Sequence, residues 1–225
     1  MKVIFWDFDG TLTIAPHLWA RSVYTALVET DPDTHVTYEM LDPHLHHDFP
    51  WHDPNKDFTP YVGERWWEYM YGLFYDAYTL CGVDDKTART AAVLARDVIK
   101  RVDNYSLYPD VHATLQACKE KGYINVMLSN NYPDLWEVVE DLKIDHYFDG
   151  LVVSGQEGYD KPRAELYQIA KERFPAEEYY MVGDNPYADV MGGKAAGLKT
   201  VFVHRGFYKE ADYCFDDLYS ICNIL

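Results

Sequence analysis

Strand-length segments without a polar face recur along this chain: MKVIFW at the start, then YINVMLSN, GLVVSG, EYYMVGD and KTVFVH. A half-solvated strand alternates apolar and polar side chains, so segments like these belong in a sheet covered on both sides. Between them the apolar spacing becomes helical: Val111, Leu115 and Cys118 with Gly122 as a stop, then Leu135, Val138, Val139 and Leu142. Leu166, Ile169 and Ala170 mark another helix, and Tyr187 to Ala196, closed by Gly197, a further one. Strands that alternate with helices form parallel sheets. The expected fold class is therefore α/β, a doubly wound parallel sheet.

Residues 15–104 break this rhythm. Helices are predicted at His17 to Thr30, Glu64 to Cys81 and Lys86 to Val102, with no convincing strand among them. One helix suffices to join adjacent parallel strands, so an insertion of roughly 90 residues far exceeds what connectivity requires. The expected organisation is a core of residues 1–14 and 105–225, with residues 15–104 as a helical lobe between the first and second strands. Asp31 to Pro60 holds Pro32, Pro43, Pro50, Pro54 and Pro60 together with His35, His44, His46, His47 and His52. Prolines remove donors and restrict their neighbours, which predicts an irregular surface segment. The histidines at 44–52 match no zinc spacing.

The formal charge of -17 over 225 residues repels nucleic acid and anionic membranes. It also repels small anions, so phosphate chemistry here needs a metal or well placed lysines. No segment reaches membrane-spanning length, and MKVIFW lacks the basic and extended apolar regions of a secretory signal, which points to a cytoplasmic protein. Cys81, Cys118, Cys214 and Cys222 form no CxxC pair and read as reduced thiols of the interior. Nothing in the pattern fixes an oligomeric state.

Polar residues gather where the apolar strands end: Asp7 and Asp9 after the first, Ser129 and Asn130 after the second, Lys161 beyond the third, and Asp184 after the fourth. In an open parallel sheet these ends share one edge, and ligands bind there. Asp7, Asp184 and Asp189 together would repel one another strongly without a divalent cation, and hard oxygen donors suit Mg2+.

DFDGT, the strand ending in SN, KPRAELY and GDNPYADVMGGKAAGLKTVFVHRG resemble, in order and spacing, the four signature motifs of the haloacid dehalogenase (HAD) superfamily. The inserted helices resemble its C1 cap. The resemblance implies a Mg2+-dependent phosphatase acting on a small phosphorylated metabolite. Asp7 is then the nucleophile that forms an aspartyl-phosphate, and Asp9 the general acid and base. Asp7, the Asp9 carbonyl and Asp184 are the implied metal ligands, with Asp189 as an auxiliary ligand or an acceptor behind them. Gly10 lets the backbone leave the strand sharply and brings amides toward the phosphate, Thr11 orients Asp9 and braces the turn, Ser129 and Asn130 hold phosphoryl oxygens, and Lys161 supplies a point charge.

Asn131 departs from the family's usual glycine and Arg163 from its usual acidic residue, and both are expected to be peripheral. A phosphomutase of the β-phosphoglucomutase kind would keep all four motifs. A dehalogenase would lack a carboxylate at position 9, and a non-catalytic anion- or partner-binding protein would not need the whole set. Substrate choice is expected in the inserted lobe. His17, Arg21, Arg65, Trp66 and Trp67 are candidates to face the crevice there, although aromatic residues at helical spacing are more often core.

Overall fold

A computed structural model of the chain describes residues 1–53 and 55–225, so Pro54, one of the five prolines above, lies outside the described residues. In chain order the strands are β1 (Lys2–Trp6), β2 (Thr13–Ile14), β3 (Ser106–Leu107), β4 (Ile124–Ser129), β5 (Gly150–Val153), β6 (Glu178–Gly183), β7 (Lys199–Val203) and β8 (Tyr213–Phe215). The α-helices are α1 (Leu18–Thr30), α2 (Tyr38–Leu41), α3 (Glu64–Leu80), α4 (Asp85–Ile99), α5 (Val111–Glu120), α6 (Leu135–Asp141), α7 (Ser154–Glu157), α8 (Ala164–Arg173) and α9 (Gly192–Ala195).

Six strands form one parallel sheet in the order β5-β4-β1-β6-β7-β8. The direction of winding reverses beside β1, and a crevice opens at the carboxyl ends of the strands at that point. Both faces of the sheet are covered, as the missing polar face requires. Ile4, Trp6, Met127 and Val182 pack in one cluster with Val111, Leu115, Leu135 and Val138 of α5 and α6. Val3, Phe5, Val126, Leu128 and Met181 pack in the other with Leu166, Tyr167 and Ala170 of α8.

The structure departs from the expected elements in several places. β8 adds a sixth strand, three half-buried residues paired with the edge of β7. The helix predicted from Tyr187 opens as a wide π-type turn, Pro186–Met191, and becomes α-helical only in α9. Asn185 explains this: its side-chain oxygen accepts the Tyr187 and Ala188 N–H groups, both at 2.9 Å. Its carbonyl accepts those of Asp189 and Val190 at 3.0 and 3.3 Å.

Between β2 and β3 the chain builds the helical insertion. β2 and β3 pair antiparallel with each other, Thr13 opposite Leu107 and Ile14 opposite Ser106. α1 and α3 both pack against α4. The buried faces are Val23, Ala26 and Leu27 on α1 and the small residues Ala88, Ala91, Ala92 and Ala95 on α4. Asp84 starts α4 by accepting the Lys86 and Thr87 N–H groups at 3.1 and 3.2 Å. Asp134, at the entry to α6, holds the insertion from below: its carboxylate accepts Trp67 Nε1 at 2.7 Å, Arg96 Nη2 at 2.8 Å and Lys100 Nζ at 2.8 Å. Burial pushes the Asp134 carboxyl upward, but the hydrogen bonds from Lys100, Arg96 and Trp67 outweigh it and hold the group below its ordinary range.

The proline- and histidine-rich segment is irregular, yet it is not simply a surface loop. It makes short helical turns at Tyr38–Leu41, Asp42–Leu45 and Pro50–His52. Leu41, Leu45, Phe49 and Phe58 are buried along it. These apolar side chains follow no regular period, because each is set by a separate turn.

Candidate active site

Asp7 leaves β1 with its N–H still in the sheet, donating to the Val182 carbonyl at 3.0 Å. Its Oδ1 accepts from Ser129 Oγ at 3.0 Å and from Lys161 Nζ at 2.9 Å, and its Oδ2 accepts from Thr11 Oγ1 at 3.4 Å. Register brings these groups together: Trp6 lies opposite Met127 on one side and Val182 on the other. The ends of β4 and β6 therefore flank Asp7. Lys161 is fixed in turn by Asn130, whose side chain accepts the Lys161 N–H at 2.6 Å and donates to the Lys161 carbonyl at 2.9 Å. The Asn130 carboxamide thus positions the lysine, and the residue lines the crevice beside it.

Lys161 Nζ also donates to Leu128 O at 2.8 Å and to Asp189 Oδ1 at 2.6 Å. Burial alone would lower its pKa, but the charges of Asp189 and Asp7 prevail and raise it. Asp189 is 1% exposed, and its other oxygen accepts the Asn185 N–H at 3.0 Å. Burial drives its pKa upward against the pull of Lys161.

Asp9 stands apart from this buried knot, half-buried at the crevice wall. Its oxygens accept from Thr13 Oγ1 at 3.4 Å and from Asn131 Nδ2 at 2.8 Å. Burial first and the charge of Asp7 second push its carboxyl up to about 7. Asp184 Oδ2 accepts from Arg205 Nε and Nη2 at 3.0 and 2.8 Å. Burial, then Asp7, raise its pKa while Arg205 opposes them.

Three expected roles change in the structure. The Thr11 hydroxyl meets Asp7 and accepts the Asp184 N–H at 3.1 Å, so it braces those two residues, and Thr13 takes the place it was expected to hold beside Asp9. The Gly10 N–H already donates to the Thr13 carbonyl at 2.9 Å. What Gly10 contributes is space: its φ is +79° and an added Cβ would lie 2.4 Å from Asp184 Oδ2. Asn131 is not peripheral, since it holds Asp9 directly. Arg163 does stay to one side, paired with Glu165.

Asp7, Asp184 and Asp189 can each bring a carboxylate oxygen within 4.8 Å of the others, and they are the one such cluster among the described residues. The histidines of the insertion make separate contacts instead. His46 pairs with Asp42 at 3.0 Å, His47 with Asp48 at 2.6 Å, and His52 packs edge-on to Phe49 and Trp51.

The crevice encloses about 840 Å³. Its floor is the carboxylates, Ser129 and Lys161, and its roof is His17, Trp19, Leu45, His46, Trp51 and His52 from the insertion. Of the five candidates from the insertion, His17 lines it; Trp66 and Trp67 are core, 2% and 0% exposed. Arg21 and Arg65 are exposed and are not part of the lining. Trp19, Trp51, Arg205 and Asn131 were not among the expected site residues. Asn131 carried the one available signal, a side chain where the resembling motif has glycine.

Residues 1–197 match the haloacid dehalogenase-like hydrolase family. A phosphoserine phosphatase of Thermus thermophilus is 35% identical over 131 residues, which cover 57% of this chain and 53% of that protein. A glyceraldehyde 3-phosphate phosphatase of Pyrococcus furiosus is 32% identical over 128 residues, 52% of this chain and 53% of that protein. The chain thus spans about half the length of these curated relatives. Among solved structures, the HAD hydrolase YfnB of Bacillus subtilis, bound to magnesium, aligns over 100% of this chain and 98% of its own with a TM-score of 0.76 at 19% identity. A HAD phosphatase of Thermococcus onnurineus aligns over 100% and 97% with a TM-score of 0.69 at 23% identity. At such identities the likeness is one of fold. With the family match covering residues 1–197 of the 225, the chain belongs to the haloacid dehalogenase-like hydrolases.

Proposed function

We propose that the protein is a phosphatase that hydrolyses a small phosphorylated metabolite through an aspartyl-phosphate on Asp7. The observation that carries this reading is the division of labour between two carboxyls two residues apart. Asp7 is engaged by Lys161 and Ser129, whereas Asp9 faces the crevice with its pKa pushed up to about 7. A group poised there can give up a proton and take one back near neutral pH. Asp9 also sets the reading apart from dehalogenation, which has no proton to deliver to a leaving halide.

In the first step an Asp7 oxygen bonds to phosphorus and the ester P–O bond breaks, while the leaving oxygen takes the proton of Asp9. In the second, water attacks phosphorus as Asp9 accepts its proton; phosphate leaves and Asp7 is restored. Lys161 and Ser129 meet charge as it spreads over the phosphoryl oxygens. Asp189 acts through Lys161 by keeping it charged and in place. The oxygens of Asp7 and Asp184, with Asp189 beside them, fit a hard divalent cation, and Arg205 on Asp184 keeps that carboxylate turned to the crevice. Mg2+ bound there supplies positive charge that offsets both the carboxylate repulsion and the charge of the phosphoryl group.

The named activities of the relatives, on phosphoserine and glyceraldehyde 3-phosphate, support a small phosphorylated substrate. The aromatic and imidazole roof is where the leaving group rests. Four free cysteines suit a reducing, cytoplasmic setting. Among the described residues no helix is long and apolar enough to cross a membrane.

The test is hydrolysis of p-nitrophenyl phosphate with Mg2+, followed by a panel of phosphorylated amino acids, trioses, sugars and nucleotides. Turnover is expected to vanish with EDTA and in Asp7→Asn protein; full turnover in that variant would overturn the reading.

A further inference from the structure

Asn131 is 2% exposed and is held on every side. Its N–H donates to Ser154 Oγ at 3.1 Å, and its carbonyl accepts the Gly155 N–H at 2.9 Å. Gly155 has to be glycine for this approach, because a Cβ there would lie 2.8 Å from the Asn131 carbonyl and 2.7 Å from Pro133 N. The Gly155 carbonyl in turn accepts the N–H of Gly63, which precedes α3, at 2.9 Å. The turn carrying Asn131 is therefore gripped by the insertion as well as by the sheet.

The orientation of the Asn131 carboxamide is settled by its own neighbour. Oδ1 accepts the Tyr132 N–H at 3.0 Å, which leaves Nδ2 to donate to Asp9 Oδ2 at 2.8 Å. Thr13 Oγ1 approaches the other Asp9 oxygen from the opposite strand end at 3.4 Å, too long to fix the plane of the carboxyl alone. A carboxyl group that transfers a proton in two successive steps gains from having one lone pair occupied by a fixed donor, since this limits which edge faces the reacting oxygen.

We propose that Asn131 is a positioning residue for acid–base catalysis: its amide holds Asp9 so that the proton-bearing edge faces the leaving oxygen and then the attacking water. This rests on the phosphatase reading above. Asn131 itself neither gains nor loses a proton; the proton moves from Asp9 to the leaving oxygen and from water to Asp9. Glycine in its place would leave that edge of Asp9 to water or to a substrate hydroxyl.

The experiment compares native protein with Asn131→Ala, which removes the donor, and with Asn131→Asp, which keeps the size and the acceptor for Tyr132 but sets a carboxylate against Asp9 in place of the donor. Two substrates separate the steps. An alkyl phosphate needs the proton to release its leaving group, whereas p-nitrophenolate departs without one. Turnover of the alkyl phosphate is expected to fall about 10- to 100-fold in both variants with KM changed less than about 2-fold. The pre-steady-state burst of p-nitrophenolate should stay within about 3-fold of native, while the steady-state rate, which needs Asp9 as base, declines. Alkyl phosphate turnover within about 2-fold of native in a folded variant overturns the inference. So does an equal loss of burst and turnover, the mark of general damage to the site. Native protein that forms no phosphoenzyme rejects the phosphatase reading and this inference with it, whereas an active native enzyme with unaffected variants rejects only the role of Asn131.

Discussion

Lys161 Nζ lies 2.6 Å from Asp189 Oδ1, with both side chains 1% exposed. The pair lies behind Asp7, the proposed nucleophile, and the same ammonium reaches its Oδ1 at 2.9 Å. Removing one partner from a buried pair leaves the other charge uncompensated, at a cost of about 3–5 kcal/mol. Lys161→Met is therefore expected to lower the melting temperature sharply and to reduce turnover by at least about 100-fold. Adding Asp189→Asn to Lys161→Met should recover part of the stability and none of the activity. Thermal unfolding and turnover of the single and double variants check this; recovery of both together would contradict it.

Gly10→Ala tests the closeness of the first loop to Asp184. The backbone there has φ +79°, and the new methyl would lie 2.4 Å from Asp184 Oδ2. The left-handed conformation costs alanine about 1–2 kcal/mol, and the carboxylate must turn away from the crevice. We expect a modest loss of stability, measured by urea unfolding, together with weaker Mg2+ binding by calorimetry. Native affinity for Mg2+ would show that Asp184 does not need that space.

Metal should stabilise the fold as well as serve the reaction. A cation that binds only the folded form adds about 2.7 kcal/mol at 100 times its Kd. The melting temperature of EDTA-treated protein should therefore climb with added Mg2+, and Asp184→Asn should flatten the response. An unchanged response in that variant would remove Asp184 from the ligand set.

Asp160 gives a prediction about pH. The residue is 3% exposed, its Oδ1 has no hydrogen-bond partner among the described residues, and burial raises its carboxyl from 3.8 to about 6. A pKa raised in the folded state means that the folded chain holds a proton the unfolded chain releases. The resulting stability is fully present below about 3.8 and is lost as pH rises through about 6, on the order of 3 kcal/mol in total. Asp160→Asn should therefore be more stable than native protein at pH about 8 and lose that advantage near pH 4. Urea unfolding at the two pH values decides it, since an equal gain at both would point to something other than ionisation.

The residues that the sequence places correctly are those whose position follows from a strand ending. Asp7, Ser129 and Asp184 each terminate an apolar run, and parallel strands bring such ends to one edge whatever the side chains do next. Lys161 follows from its motif. The direction of a side chain in a tight turn has no such rule. Thr11 and Thr13 are two residues apart, and only the folded loop shows which of them meets Asp9. Asn131 looks like a tolerated exception to a glycine until its amide is found on Asp9 Oδ2. Trp19 and Trp66 lie at helical spacing compatible with either core or crevice, and the packing of α3 and the proline-rich segment assigns one to each. β8 escapes notice for a different reason: three residues at a sheet edge carry little pattern of their own and gain their conformation from β7.

Thr13–Ile14 and Ser106–Leu107 pair with each other and, among the described residues, with no strand of the main sheet. The chain thus enters and leaves the insertion through a ladder of two rungs, while Asp134 and the Gly155 carbonyl add separate holds on α3 and α4. A different helical lobe joined at the same rungs would have to bring its own partners for Asp134 and for the Gly155 carbonyl before it could close over the same strand ends.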